Sequence, residues 1–163
     1  MTLSVKTRER ALTLGVLLCV LLAPGAHAGE PTSRWITDAH DSARESAVRL
    51  LGLLAQGDIA GAAGLSNAPE RRYEVLRDYR NEVGKEAFKR LYARYFDRTS
   101  RLVAEAALGP RRLLIWDLGE AGNHLAGQFF IEVEGRYVLD DVPSAERAEL
   151  QRLLEDYRKR ANR

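Results

Sequence analysis

Cysteine, histidine and long apolar runs are what this sequence has least of, and each shortage removes a class of function. The one cysteine, Cys19, sits in an apolar segment near the N-terminus. A chain without a second cysteine forms no internal disulfide and offers no cysteine-rich metal site. His27, His40 and His124 are the only histidines, and they form no His-x-x-x-His pair. A metal centre needs several convergent ligands with supporting partners, so none is expected, and no cofactor is implied. A Gly-rich phosphate cradle and a serine-bearing nucleophile elbow are both missing. The longest apolar run, residues 11–23 with Thr13 as its one polar residue, is too short for a spanning helix, and no longer one follows. Internal repeats and low-complexity tracts are also absent.

The N-terminus has a different pattern. Lys6, Arg8 and Arg10 precede the apolar run, and Ala26-His27-Ala28 closes the segment. A basic n-region, a short apolar h-region and a small-x-small site predict a secretory signal peptide cleaved after Ala28. An uncleaved anchor is the alternative, disfavoured because the small-residue site follows so directly. Leu17-Leu18 before Cys19 argue against lipidation, which wants small residues there. The expected product is therefore periplasmic or secreted, with no membrane segment in the mature chain. Cleavage removes three basic residues and one acidic residue, leaving 22 of each in a mature chain of 135 residues, 29–163. A neutral balance removes the electrostatic case for nucleic acid. A chain of that size makes one domain, burying roughly two-thirds of its unfolded surface.

Helical periodicity dominates the first half of the mature chain. Ile36, Ala39, Ala43, Ala47, Leu50, Leu51 and Leu54 recur at three- and four-residue steps and predict an amphipathic helix stopped by Gly57. Asp58 is placed to cap a short helix, "IAGAAGLS", whose glycines make it lean on the first. Pro69 suits the first position of a third helix carrying Tyr73, Leu76 and Val83. Beyond Gly84, "KEAFKRLYARYF" repeats the pattern, as one long helix or as two with a break at the glycine, which is favoured.

From Arg101 the period changes to two. "RLVAEAAL", "RRLLIWDL", "HLAGQFFIEVE" and "RYVLDD" predict about four antiparallel strands in a half-buried sheet. Strict alternation puts Leu102, Ala104, Ala106 and Leu108 on one face, and Gly127 marks a bulge or a close approach. From about residue 144 a C-terminal helix follows, with Ser144 as cap, Glu146 in its first turn and a basic last turn. Segregated helices and strands make the class α+β, with helices covering one face of the sheet.

"LLGLLAQGDIAGAAGLS" followed by "GQFFIEVEGRYVLDDV" resembles the nuclear transport factor 2-like superfamily over roughly residues 43–142. Tyr137 stands where a tryptophan is more usual, and the helix after Pro143 extends the minimal fold. The resemblance implies a strongly curved sheet wrapped as a cone over helices, and a sheet that often makes a homodimer. The cone commonly holds a small apolar ligand, an isomerase or cyclase site, or only side chains, so fold alone does not choose the function.

Three sets of residues are candidates. An acid–base enzyme would use Asp117 with Tyr137 inside the cone. Ligand binding would fall to Tyr92, Tyr95, Trp116, Phe130 and Tyr137, although aromatics at helical spacing are more often core. A partner surface would use Arg71, Arg72, Arg90 and Arg94. They lie in residues 69–101, which hold ten basic and six acidic residues, against one and six in residues 116–143. His124, Asp140 and Asp141 suggest an acidic site at first sight. At a turn and a strand end, though, such residues are expected to be solvated or to cap the next helix. The expected function is a non-catalytic exported domain binding a partner protein or a small apolar ligand, with the isomerase-like enzyme and a secreted inhibitor or immunity-type protein as alternatives.

Overall fold

The computed structural model describes residues 32–119 and 125–161; the expected leader and cleavage site, and the expected turn at His124, lie outside them. The class is α+β. Helix α1, Arg44–Gln56, buries Ala47, Leu50, Leu51 and Leu54, and each leucine so placed contributes about 1.5–3 kcal/mol. It ends at Gly57, whose φ of +80° lets its N–H return to the carbonyls of Leu53 and Leu54. Helix α2, Ile59–Ala63, is capped by Asp58, whose carboxylate accepts from the Gly61 N–H at 2.9 Å. Helix α3, Pro69–Val83, starts on its proline. The break expected at Gly84 is present, with φ +85° and ψ 150°, and helix α4, Lys85–Ala93, begins beyond it.

The first helix starts later than periodicity predicts. Arg34–Trp35 form a short strand, β1, and Ala39–Asp41 a 3-10 turn. β1 pairs with β2, Arg101–Leu108, and the Ile36 N–H bonds the Glu105 carbonyl at 2.8 Å. Covering part of an open sheet edge outweighs one more helical turn here.

The sheet has five strands among the described residues, not four, in sequential antiparallel order β1 to β5. β3 is Arg111–Asp117, β4 Leu125–Val133 and β5 Arg136–Leu139. The free side of β5 is partly closed by residues 65–67, because Leu139 exchanges backbone bonds with Leu65 and Asn67 at 2.7 and 3.0 Å. A bulge lies in β2, where Leu102 faces Trp116 but Ala104 faces Ile115. One extra residue shifts the phase, so Leu102 packs toward the helices whereas Ala104, Ala106 and Leu108 point the other way. Gly127 carries no bulge, because β3 and β4 pair without a register shift.

The sheet is buried on both faces, a correction to the half-buried expectation. Helices α1 to α4 cover Leu114, Trp116, Phe130 and Leu139. Helix α5, Ala145–Ala161, lies on the opposite face, with Leu150 and Leu154 against Ala106, Leu108, Leu113 and Ile115. This explains the unbroken apolar run of β3, a strand with no solvent side. A homodimer through the sheet would have to use whatever α5 leaves uncovered.

Gly127 is where α5 comes closest. A Cβ on Gly127 would lie 2.3 Å from Leu154 Cδ2. Gly127→Ala is therefore expected to lower stability by about 1–3 kcal/mol, as overpacking does. Denaturant melts check it, and adding Leu154→Ala to the same chain should recover part of the Gly127→Ala penalty. Additive losses would mean that the two sites do not meet.

Candidate functional site

The aromatic residues between helices and sheet are packed against one another. Phe88 lies 5.0 Å from Tyr92 and 6.1 Å from Tyr79, centroid to centroid, and Tyr95 meets Trp116 edge-on at 5.7 Å. Trp116 donates its indole N–H to Gln128 Oε1 at 2.9 Å. Phe130 is 1% exposed and sits in the same cluster. Burial pushes the Tyr92 hydroxyl up to about 12 and raises that of Tyr95. Among the described residues, no buried side-chain nitrogen or oxygen lacks a hydrogen-bond partner. An interior of this kind offers no unsatisfied polar group to orient a ligand.

Tyr137 belongs to a polar cluster at the edge of that interior. Arg112 is buried to 4% exposure on the helix side of β3 and is fully engaged. Its Nε donates to the Asp41 carbonyl at 3.1 Å, its Nη2 to Asp41 Oδ1 at 2.5 Å, and its Nη1 to the carbonyls of Gly109 and Arg111 at 3.0 Å. The guanidinium lies 5.1 Å from the Tyr137 ring centroid, and the Tyr137 hydroxyl donates to Asp41 Oδ1 at 3.4 Å. Asp41 also pairs with Arg34. Hydrogen bonds from Arg34 and then Arg112 hold the Asp41 carboxyl below the usual range, while burial raises Tyr137. A carboxylate held by two guanidiniums is a poor base, and a phenol kept protonated beside it is a poor nucleophile. The cluster fastens the turn before α1 to the sheet. Glu105 does the same nearby, accepting from the Ala43 N–H at 2.8 Å and the Ser42 hydroxyl at 2.5 Å.

Asp117 does not join Tyr137. It faces away from Trp116, accepts from the Gly119 N–H at 3.0 Å and pairs with Arg101 at 3.4 Å. Asp117 is paired with Leu125 and Tyr137 with Glu132, opposite ends of β4. That length of strand separates them by roughly 20 Å.

Asp140 and Asp141 are neither solvated nor helix caps, contrary to expectation. Asp140 is 1% exposed; its carboxylate takes Asn67 Nδ2 at 2.8 Å and Arg111 Nε at 3.0 Å. Asp141 accepts from the Ser66 hydroxyl at 2.6 Å and from Arg72 through Nε, at 2.7 Å, and Nη2, while its own N–H bonds Asn67 Oδ1 at 2.8 Å. Arg147 Nε donates to the Asp140 carbonyl at 2.9 Å. The two acids thus join the α2–α3 turn, β3 and the start of α5. Cap duty falls to Ser144, which accepts from the Arg147 N–H at 3.1 Å.

The four arginines of the expected partner surface fall in two grooves. Arg71 and Arg72 line one of about 230 Å³ with Val75, Asp141, Pro143 and Arg147. Arg90 and Arg94 line another, with Ala87, Leu91, Ala93 and Asp97. Sequence reasoning missed Arg147, which lies 75 residues from Arg72, and Arg112 and Glu105. The last two had a signal, a charge inside an otherwise apolar strand.

Compared with protein-family models, curated proteins and solved structures, the chain matches none. No helix among the described residues is long and apolar enough to cross a membrane. No group of three or more His, Cys, Asp and Glu side chains among them is placed to hold a metal ion.

Proposed function

We propose that the chain is an exported, non-catalytic binding domain of the nuclear transport factor 2-like type, with its sheet curved as a cone over α1 to α4. Its partner is a protein presenting acidic segments, met by the arginine-lined face of α3 and α4. The observation that carries this reading is a contrast between interior and surface. The interior residues Tyr92, Tyr95, Trp116 and Phe130 are occupied with one another or with their core neighbours. Arg71, by comparison, makes no side-chain hydrogen bond or ion pair among the described residues, on a segment holding ten basic and six acidic residues. An unneutralised guanidinium beside exposed apolar side chains is a common feature of a protein-binding surface. The enzyme alternative has less support, with Asp117 and Tyr137 at opposite ends of a strand. Helices ahead of an antiparallel meander agree with the suggested family, and α5 is the departure from its minimal form.

Selection of a random peptide display library on the folded mature protein tests the reading. Enrichment of Asp- and Glu-rich sequences whose binding weakens steeply with added salt is the expected outcome. Enrichment of neutral apolar sequences, or of none, would overturn it.

A further inference from the structure

We propose that the groove between the start of α3 and the turn before α5 is the primary contact for that partner, seating one Asp or Glu carboxylate between Arg71 and Arg147. The inference rests on the partner-surface reading and narrows it to one site. The groove is lined by three guanidiniums and a single carboxylate. That carboxylate, Asp141, is already neutralised by the two-pronged contact from Arg72. Two positive charges are left over. Arg71 has no partner among the described residues. Arg147 uses Nε alone, on the Asp140 carbonyl, and its guanidinium stacks 4.9 Å from the Phe129 ring centroid. Its Nη groups meet no acceptor among the described residues, while the Asp140 and Phe129 contacts hold it in place. A fixed guanidinium with free donors loses little freedom on binding an oxyanion.

The rim says which oxyanion. Val75 is 51% exposed, Pro143 lines the groove and Val142 lies exposed on the adjoining turn. Free phosphate has no use for such a rim. An acidic residue flanked by a leucine or valine uses both parts, its carboxylate on the arginines and its neighbour on Val75 and Pro143.

The test is calorimetric titration of the mature protein with the peptide acetyl-Leu-Glu-Leu-Asp-Leu-amide. Arg71→Glu and Val75→Asp each alter an exposed side chain outside the Asp140–Asp141 network, so both should melt like the parent. Each is expected to weaken peptide binding by about tenfold or more. Arg49→Glu, an exposed position on α1, should leave it unchanged, and inorganic phosphate should compete no better than sodium chloride of equal ionic strength. Unaltered binding in Arg71→Glu, an equal loss in Arg49→Glu, effective competition by phosphate, or no binding to the parent would each overturn the assignment. If the display selection still yields acidic sequences, the broader partner reading survives that failure; if it yields none, both fall.

Discussion

Asp140→Ala is expected to lower the unfolding free energy by about 3–5 kcal/mol, the usual loss when one member of a buried ion pair is removed. The loss arises on the partner's side. Arg111 has only 14% of its side chain exposed and would keep its charge, facing Glu146 alone at 3.5 Å. Asn67 would lose the acceptor that orients its amide, and through it the bond to the Asp141 N–H. Urea titration followed by far-ultraviolet dichroism measures the effect. The double variant Asp140→Leu with Arg111→Met should regain a large part of the loss, since no unpaired charge is then left inside. A single variant within about 0.5 kcal/mol of the parent would show that Asp140 is hydrated rather than sealed.

Phe130→Ala is expected to cost a similar amount, about 3–5 kcal/mol, and to do something the parent does not. Phe130 stands in β4 between Arg112 of β3 and Leu139 of β5, under the cover of the helices. Removing its ring leaves an apolar void, and such voids stay dry and accept benzene. Benzene should therefore raise the melting temperature of the variant in a saturable way and leave the parent unmoved. A saturable shift in the parent itself would mean that a cavity already exists between helices and sheet. The small-ligand reading would then displace the partner reading.

These two variants lie at different distances from what sequence alone allows. Alternation groups Phe130 with Gln128, Glu132 and Glu134 and so did not mark it as core; it entered only as a candidate pocket residue, whereas it is 1% exposed and Val133 of the apolar set is 44% exposed. Asp58, Pro69, Gly84 and Ser144 were legible as caps, first position and break. Each of those depends on neighbours within a few residues. Asp140 was not legible, because its partners Asn67 and Arg111 come from 73 and 29 residues away. The same acid pair before a proline would be solvated in many other contexts. β1 has two residues, too few to show a period. The bulge after Leu102 has no local signature such as glycine, so alternation misassigned that residue's face. The second covered face had a visible signal in the consecutive Leu113, Leu114, Ile115 and Trp116, which only a strand buried on both sides accommodates. Of the arginines in the proposed partner groove, Arg71 and Arg72 were readable from charge density. Arg147 required the fold to bring the start of α5 beside α3.

Hydrogen exchange of residues 29–163, with and without a display-selected acidic peptide, locates recognition directly. The expected result is added protection at amides of residues 69–77 and 141–147, with β3 and β4 exchanging as before. Added protection at Trp116, Phe130 and Tyr137, with α3 unaffected, would contradict it and move the binding site into the interior.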